Sequence, residues 1–303
     1  MSFTIQILGS GSAIPTSSRG LTSQFINCAG RHYLIDCGEG TQTQMRRFGV
    51  KFQRIDAVFI SHLHGDHYFG LIGLLSTMNL LGRVKPIQIF APKELETILA
   101  LQIEYNGSRM SYEIEFNATD TSKETVLIED EKVTVSSFPL SHKVPTTGFK
   151  ITQKEKQRHL LIDKAVSHGV KIEHYHQLKD GNDVTNDDGK VFASKDYTFP
   201  GEKEKTFAFC SDTKYSEGIV PSITSVDLLY HEATFTEEFI DRAKATMHST
   251  ASQAATIAKM ANVGKLLMGH LSARYEDGSE HLQEAQSIFQ NCEVVEDGSV
   301  YSV

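Results

Sequence analysis

Short apolar runs recur along the chain, and several end in clusters of polar, reactive side chains. Phe3–Leu8, Gln24–Asn27 and Tyr33–Asp36 have the β-branched and aromatic content of strands. Ala57–Ile60 is a fourth and runs directly into Ser61-His62. From about Tyr68 to Leu81 apolar residues recur at helical spacing. A strand is expected at Ile87–Phe90, a helix at Lys93–Glu104, and a hairpin of Val126–Glu129 with Val133–Pro139 around Asp130-Glu131. Thr206–Cys210, Asp227–His231 and Lys265–Met268 complete the strands. Ser249–Ala261, with Ser249 or His248 near its cap, and Gln283–Gln290 complete the helices. Strands alternating with helices, the early strands in hairpin-like runs, predict an α/β fold with helices packed over mixed sheets.

Residues from about Gln153 to Lys205 break this pattern. They are polar and charged, and Asp180-Gly181 and Asp188-Gly189 are turn dipeptides expected in a hairpin. Asp180–Gly189 is too poor in ligands for a calcium loop, since Val184 falls at a ligand position and no Glu closes it. The segment reads as an arm of about 153–205 inserted in a single domain spanning 1–303.

The 303 residues suffice for a full core. Lys and Arg total 30 against 38 Asp and Glu, a net charge of −8, which excludes a generally basic nucleic-acid coat protein but not a local basic patch. The four cysteines form no C-x-x-C pair, so the chain has neither a thiol zinc knuckle nor a disulfide framework and suits a reducing compartment. No signal peptide and no apolar run of about 18 residues is visible. The expected location is cytoplasmic, without a membrane.

Histidine is the anomaly, at 13 residues. Ser61-His62-Leu63-His64-Gly65-Asp66-His67 puts four metal-ligand candidates within six residues, just after a strand. Alternate side chains at a strand end approach one ion, and Gly65 permits the turn that swings Asp66 and His67 to the other side. Imidazole nitrogen and carboxylate oxygen are donors that zinc accepts. His142, Asp212 and His270 also follow predicted strands. The Gly9-Ser10-Gly11-Ser12 turn lacks the Lys of a phosphate loop and reads as a turn lining the site.

With these residues the chain resembles the metallo-β-lactamase superfamily and, within it, the ribonuclease Z family of tRNA 3′-processing endonucleases. His62, His64, Asp66 and His67 fill the superfamily motif, and Asp36-Cys37-Gly38-Glu39-Gly40-Thr41 fills the one before it. His231-Glu232-Ala233-Thr234 and His248-Ser249-Thr250 match motifs that set ribonuclease Z apart. The resemblance implies an αββα sandwich of two mixed sheets flanked by helices, with an inserted arm. It implies two Zn²⁺ per subunit, one on His62, His64 and His142, the other on Asp66, His67 and His270, with Asp212 bridging them. Asp66 is then the expected general base, His248 the acid for the leaving 3′-oxygen, and Glu232 its orienting partner. Asp36 is expected to brace the histidine loop. Arg274, Ser272, Arg19 and Lys171 are the candidate substrate contacts. The implied partners are precursor tRNA and a second subunit in a homodimer. The alternative is a dizinc hydrolase of small phosphodiesters or other small-molecule esters.

Two features depart from the family pattern. The P-x-K-x-R-N loop reads Pro15-Thr16-Ser17-Ser18-Arg19-Gly20 here, without the Lys and the Asn. The arm's tip region, His168–Tyr175, has no proline, and Lys164, Lys171 and Lys179 stand among several acids.

Overall fold

Period-two alternation divides each strand between two cores. In the computed structural model, which describes residues 3–107 and 109–303, the strands form two seven-stranded sheets. The first runs Val300–Ser302, Phe3–Gly9, Ser23–Cys28, Arg31–Ile35, Ala57–Phe59, Ile87–Ala91, Ile114–Ala118. The second runs Cys292–Val294, Lys265–Gly269, Leu228–Glu232, Lys205–Cys210, Thr146–Gln153, Val133–Leu140, Thr125–Glu129.

Ile5, Ile7, Tyr33 and Phe59 of the first sheet share one buried cluster with Phe149, Phe207, Phe209 and Tyr230 of the second, which places that core between the sheets. The neighbouring residues face outwards. Leu34, Val58 and Ile89 pack with Leu74 of helix Leu71–Leu80 and Leu95 of helix Glu94–Tyr105. Ala208, Leu229 and Met268 pack with Ala254, Ala255 and Ala258 of helix Ala251–Met260. The result is the expected αββα sandwich. Each fully buried Leu, Ile, Val, Phe or Met side chain here is worth roughly 1.5–3 kcal/mol over exposure.

Arg31–Ile35 through Ile114–Ala118 are parallel, as are Lys205–Cys210 through Cys292–Val294. Parallel strands put all their carboxyl ends at one edge, the edge where α/β sheets bind ligands. His62, Asp212 and His270 each follow such an end, and Glu232 occupies one.

The structure corrects several boundaries. The expected helix from Tyr68 to Leu81 is two, Gly65–Tyr68 and Leu71–Leu80. At the junction, a Cβ on Gly70 would lie 2.2 Å from the Gly38 carbonyl oxygen, so the backbone passes too close for any side chain. The helix expected from Ser249 to Ala261 is Ala251–Met260, and its cap, next to Ser249, is Thr250, in a capping box with Gln253. The last helix is Ser279–Gln286. Asp180-Gly181 follows helix Tyr175–Lys179, with Gly181 at φ +88°, and is a helix stop, not a hairpin turn. Asp188-Gly189 does lie within the hairpin of Val184–Thr185 with Val191–Phe192.

The chain divides into two compact units, one reaching Thr152 and resuming at Thr206, the other Gln153–Lys205. The second has its own small core of Ala165, Val170, Leu178, Val184, Phe192 and Tyr197. It carries ten basic and ten acidic residues, so its formal charge is zero before histidine.

Candidate metal centre

The loop after Ala57–Phe59 is fixed by one carboxylate. Asp36 is fully buried at φ +55°, a backbone conformation disfavoured for a residue with a side chain. Its Oδ1 accepts from the Ser61 amide at 2.7 Å and its Oδ2 from the Ser61 hydroxyl at 2.9 Å. His67 Nδ1 lies 2.7 Å from the same Oδ2. With Nδ1–H donating to Asp36, His67 is left with Nε2 as a lone-pair donor facing the site.

The other ligand candidates are aimed in the same way. His142 Nδ1 lies 2.8 Å from the Met247 carbonyl, and Met247 adopts φ +59°. His270, itself at φ +61°, has Nδ1 2.9 Å from Thr234 Oγ1, and that hydroxyl donates to Glu232 Oε2 at 2.7 Å. Asp66 Oδ2 accepts from the backbone N–H of Ala13 at 2.8 Å.

Donor atoms gather in two separate groups, His62, His64, His142 and Asp212, and Asp66, His67 and His270, each within 4.8 Å of one another, and a third set, Asp212, His248 and His270, overlaps both. Asp212 faces both. Its Oδ2 is 3.5 Å from His62 Nε2 and 3.6 Å from His142 Nε2, and its Oδ1 is 3.4 Å from His67 Nε2 and 3.1 Å from His270 Nε2. His67 Nε2, His270 Nε2 and Asp212 Oδ1 are buried without a hydrogen-bond partner. Orphaned buried donors and acceptors facing one point are costly, and a cation satisfies all three. The residues therefore fit a metal pair. Burial, with His67 beside it, pushes the His62 imidazole down to about 3, which keeps it in the neutral form that ligates. Burial opposes charge on Asp66, but the imidazoles of His270 and His67 beside it, their Nε2 atoms 3.5 and 3.4 Å from its Oδ2, outweigh this and hold the carboxyl below the usual range.

His248 stands over the same cavity, its Nδ1 2.9 Å from Glu232 Oε1. Burial disfavours its charge, yet the Glu232 carboxylate overrides this and raises the imidazole to about 9. Glu232 is fully buried and also accepts from the amides of Thr213 and Thr234, both at 3.0 Å. The cavity holds about 700 Å³, and Lys143, Arg242 and Arg274 give it a basic rim. Arg274 donates to Ser272 Oγ at 3.1 Å, and its guanidinium carbon lies 4.4 Å from the Phe239 ring centroid.

Two expected substrate contacts sit elsewhere. Arg19 does not line this cavity: its guanidinium donates to the carbonyls of Tyr275 at 3.0 Å and Glu276 at 3.4 Å, and so tethers one loop to another. Lys171 is exposed and ion-paired with Asp187.

Sequence reasoning missed Ala13, Met247 and Asp297 and gave Thr234 no part. Asp297 accepts from Ser10 N at 2.9 Å, Ser10 Oγ at 2.8 Å, Gly20 N at 2.7 Å and Gln44 Nε2 at 2.6 Å. It staples both ends of the 10–20 loop, whose Ala13 reaches Asp66. That loop is zipped to the residue after His270 by Ser12 N to Leu271 O at 3.1 Å and Leu271 N to Ser10 O at 3.1 Å. Only the His231-Glu232-Ala233-Thr234 motif gave a signal for Thr234. A backbone N–H or carbonyl gives none.

Comparison with known proteins adds to this geometry. A ribonuclease Z of Bacteroides fragilis is 43% identical over 289 residues, 95% of each chain. One of Parabacteroides distasonis is 44% identical over 301 residues, 99% of each. The chain belongs to the ribonuclease Z family. A family model described as anti-Pycsar protein Apyc1 also matches, over residues 3–301, and the chain belongs to that family too. Among solved structures, the short form of human tRNase Z superposes with a TM-score of 0.71 at 28% identity, covering 99% of both chains. As a ribonuclease Z homologue the chain is a metal-dependent hydrolase of phosphodiester bonds in RNA. No helix among the described residues is long and apolar enough to cross a membrane.

Proposed function

We propose that this chain removes the 3′ trailer from tRNA precursors, cutting after the discriminator base to leave a 3′-hydroxyl. The observation that carries this reading is Asp212 shared by two ligand groups, with His248 held by Glu232 over the same cavity. On this reading the two groups would hold two zinc ions, which would supply Lewis acidity toward a water and positive charge for the phosphate. Asp66 accepts the water's proton at its carboxylate. His248 keeps its Nδ1–H on Glu232 and delivers the Nε2 proton to the leaving 3′-oxygen. Arg274, steadied on Phe239 and paired with Ser272, clamps a phosphate oxygen. Asp36 and Thr234 hold His67 and His270 in the ligating tautomer.

The 153–205 unit acts as the substrate-binding arm, with Lys171 among its phosphate contacts. Its even charge means that binding rests on placed lysines, not on a general field. The enzyme works as a cytoplasmic homodimer. A monomer by light scattering at assay concentration refutes that part.

The test is cleavage of a labelled precursor by zinc-loaded protein beside Asp66→Ala. A cut after the discriminator that vanishes in the variant is expected. An uncut precursor, with a small phosphodiester still hydrolysed, moves the substrate to the small-molecule class.

A further inference from the structure

The cavity wall has one feature that the chemistry above leaves unused. Phe69 is 60% exposed, while Leu71, Leu74 and Leu75 just after it are fully buried. Its ring lies against the backbone of Gly65: a Cβ there would come within 2.3 Å of Phe69 Cε2. The ring therefore lies over Gly65, the residue between the candidate ligands His64 and Asp66, and meets Tyr68 in a T-shaped contact at 4.9 Å between centroids. Ile14, 64% exposed on the stapled 10–20 loop, lines the same cavity. Apolar side chains this open, beside groups that act on a charged phosphodiester, contribute nothing to the reaction itself. A single exposed apolar residue is ordinary. Two lining one hydrolytic cavity whose rim is basic form a platform for something flat and apolar that enters with an anion. A nucleotide has that chemistry: its phosphate meets the ligand cluster and the basic rim, and its unstacked base needs an aromatic face.

We infer that Phe69, with Ile14 alongside, stacks a nucleobase flanking the scissile phosphate and so sets which nucleotide is seated for cleavage. The inference rests on the RNA-cleaving reading above. The test is a cycle crossing Phe69→Leu with precursors made abasic at either nucleotide flanking the cut. One lesion should lower wild-type kcat/KM about tenfold. Phe69→Leu should show that loss on the intact precursor and little more on the abasic one. Phe69→Tyr should stay as sensitive as wild type. Melting temperature and metal content report that each variant is folded. A wild type that cuts but ignores both lesions, or a Leu variant that stays fully sensitive, overturns the stacking role alone. A wild type that leaves the intact precursor uncut overturns the reading beneath it, and this inference with it.

Discussion

The two candidate ligand triads share Asp212 but are built differently. His62, His64 and His142 bring no charge of their own, and His64 is only partly buried. Their supports are modest: the Ser61 hydroxyl 3.0 Å from His62 Nδ1, and the Met247 carbonyl on His142. Asp66, His67 and His270 bring a carboxylate, and each has a dedicated partner in Ala13, Asp36 or Thr234. A cation in the second group meets more negative charge and a stiffer cage, whereas one in the first meets neutral ligands and an open side. The second site should therefore bind metal more tightly, leaving the first better suited to exchange and to substrate access.

The largest effect expected is from Asp212→Ala, which removes the one carboxylate common to both groups. Metal analysis should show both ions depleted, with an activity loss beyond the roughly 10–100-fold that an outer partner commands. Retention of one full equivalent would show the triads to be independent. His248→Ala comes next, at about 10²–10⁴-fold in kcat with metal content unchanged. A fall in metal content would instead make His248 a ligand.

Asp36→Asn tests the asymmetry directly. Chelator competition should show about 10–100-fold weaker binding of one ion and little change in the other. Equal weakening of both breaks the comparison. The smallest effect is a displacement along the pH axis. His248, raised to about 9, stays protonated through neutral pH and loses its acid function as pH rises through that value. Glu232→Gln removes the charge that raises it, so the alkaline limb of kcat should move to lower pH. An unmoved limb assigns it to another group.

Much of this was legible in the sequence because strand alternation and ligand spacing are local. The H-x-H-x-D-H string follows a short buried strand, and Asp212 and His270 follow parallel strands that the pattern had located. The strands that escaped notice lack such contrast. Ile114–Ala118 is an edge strand with no fully buried residue, and Cys292–Val294 and Val300–Ser302 are three residues long. Thr146–Gln153 buries threonines and a glutamine beside its apolar residues, which hides its alternation. The support for the metal centre was the least readable part. A hydrogen bond from Ala13 N–H or to Met247 C=O leaves no trace in residue identity. Asp297 serves the site through positions nearly three hundred residues earlier.

That last separation has a consequence in time. Ser10 and Asp297 are 287 residues apart, an interval of roughly 15–60 s at synthesis rates of about 5–20 residues per second. Until Asp297 is made, the 10–20 loop can form its ties to Leu271 but lacks the carboxylate that joins Ser10 to Gly20 behind Ala13. A growing chain that has passed His270 carries all seven candidate ligands but not yet the carboxylate that closes the loop behind Asp66.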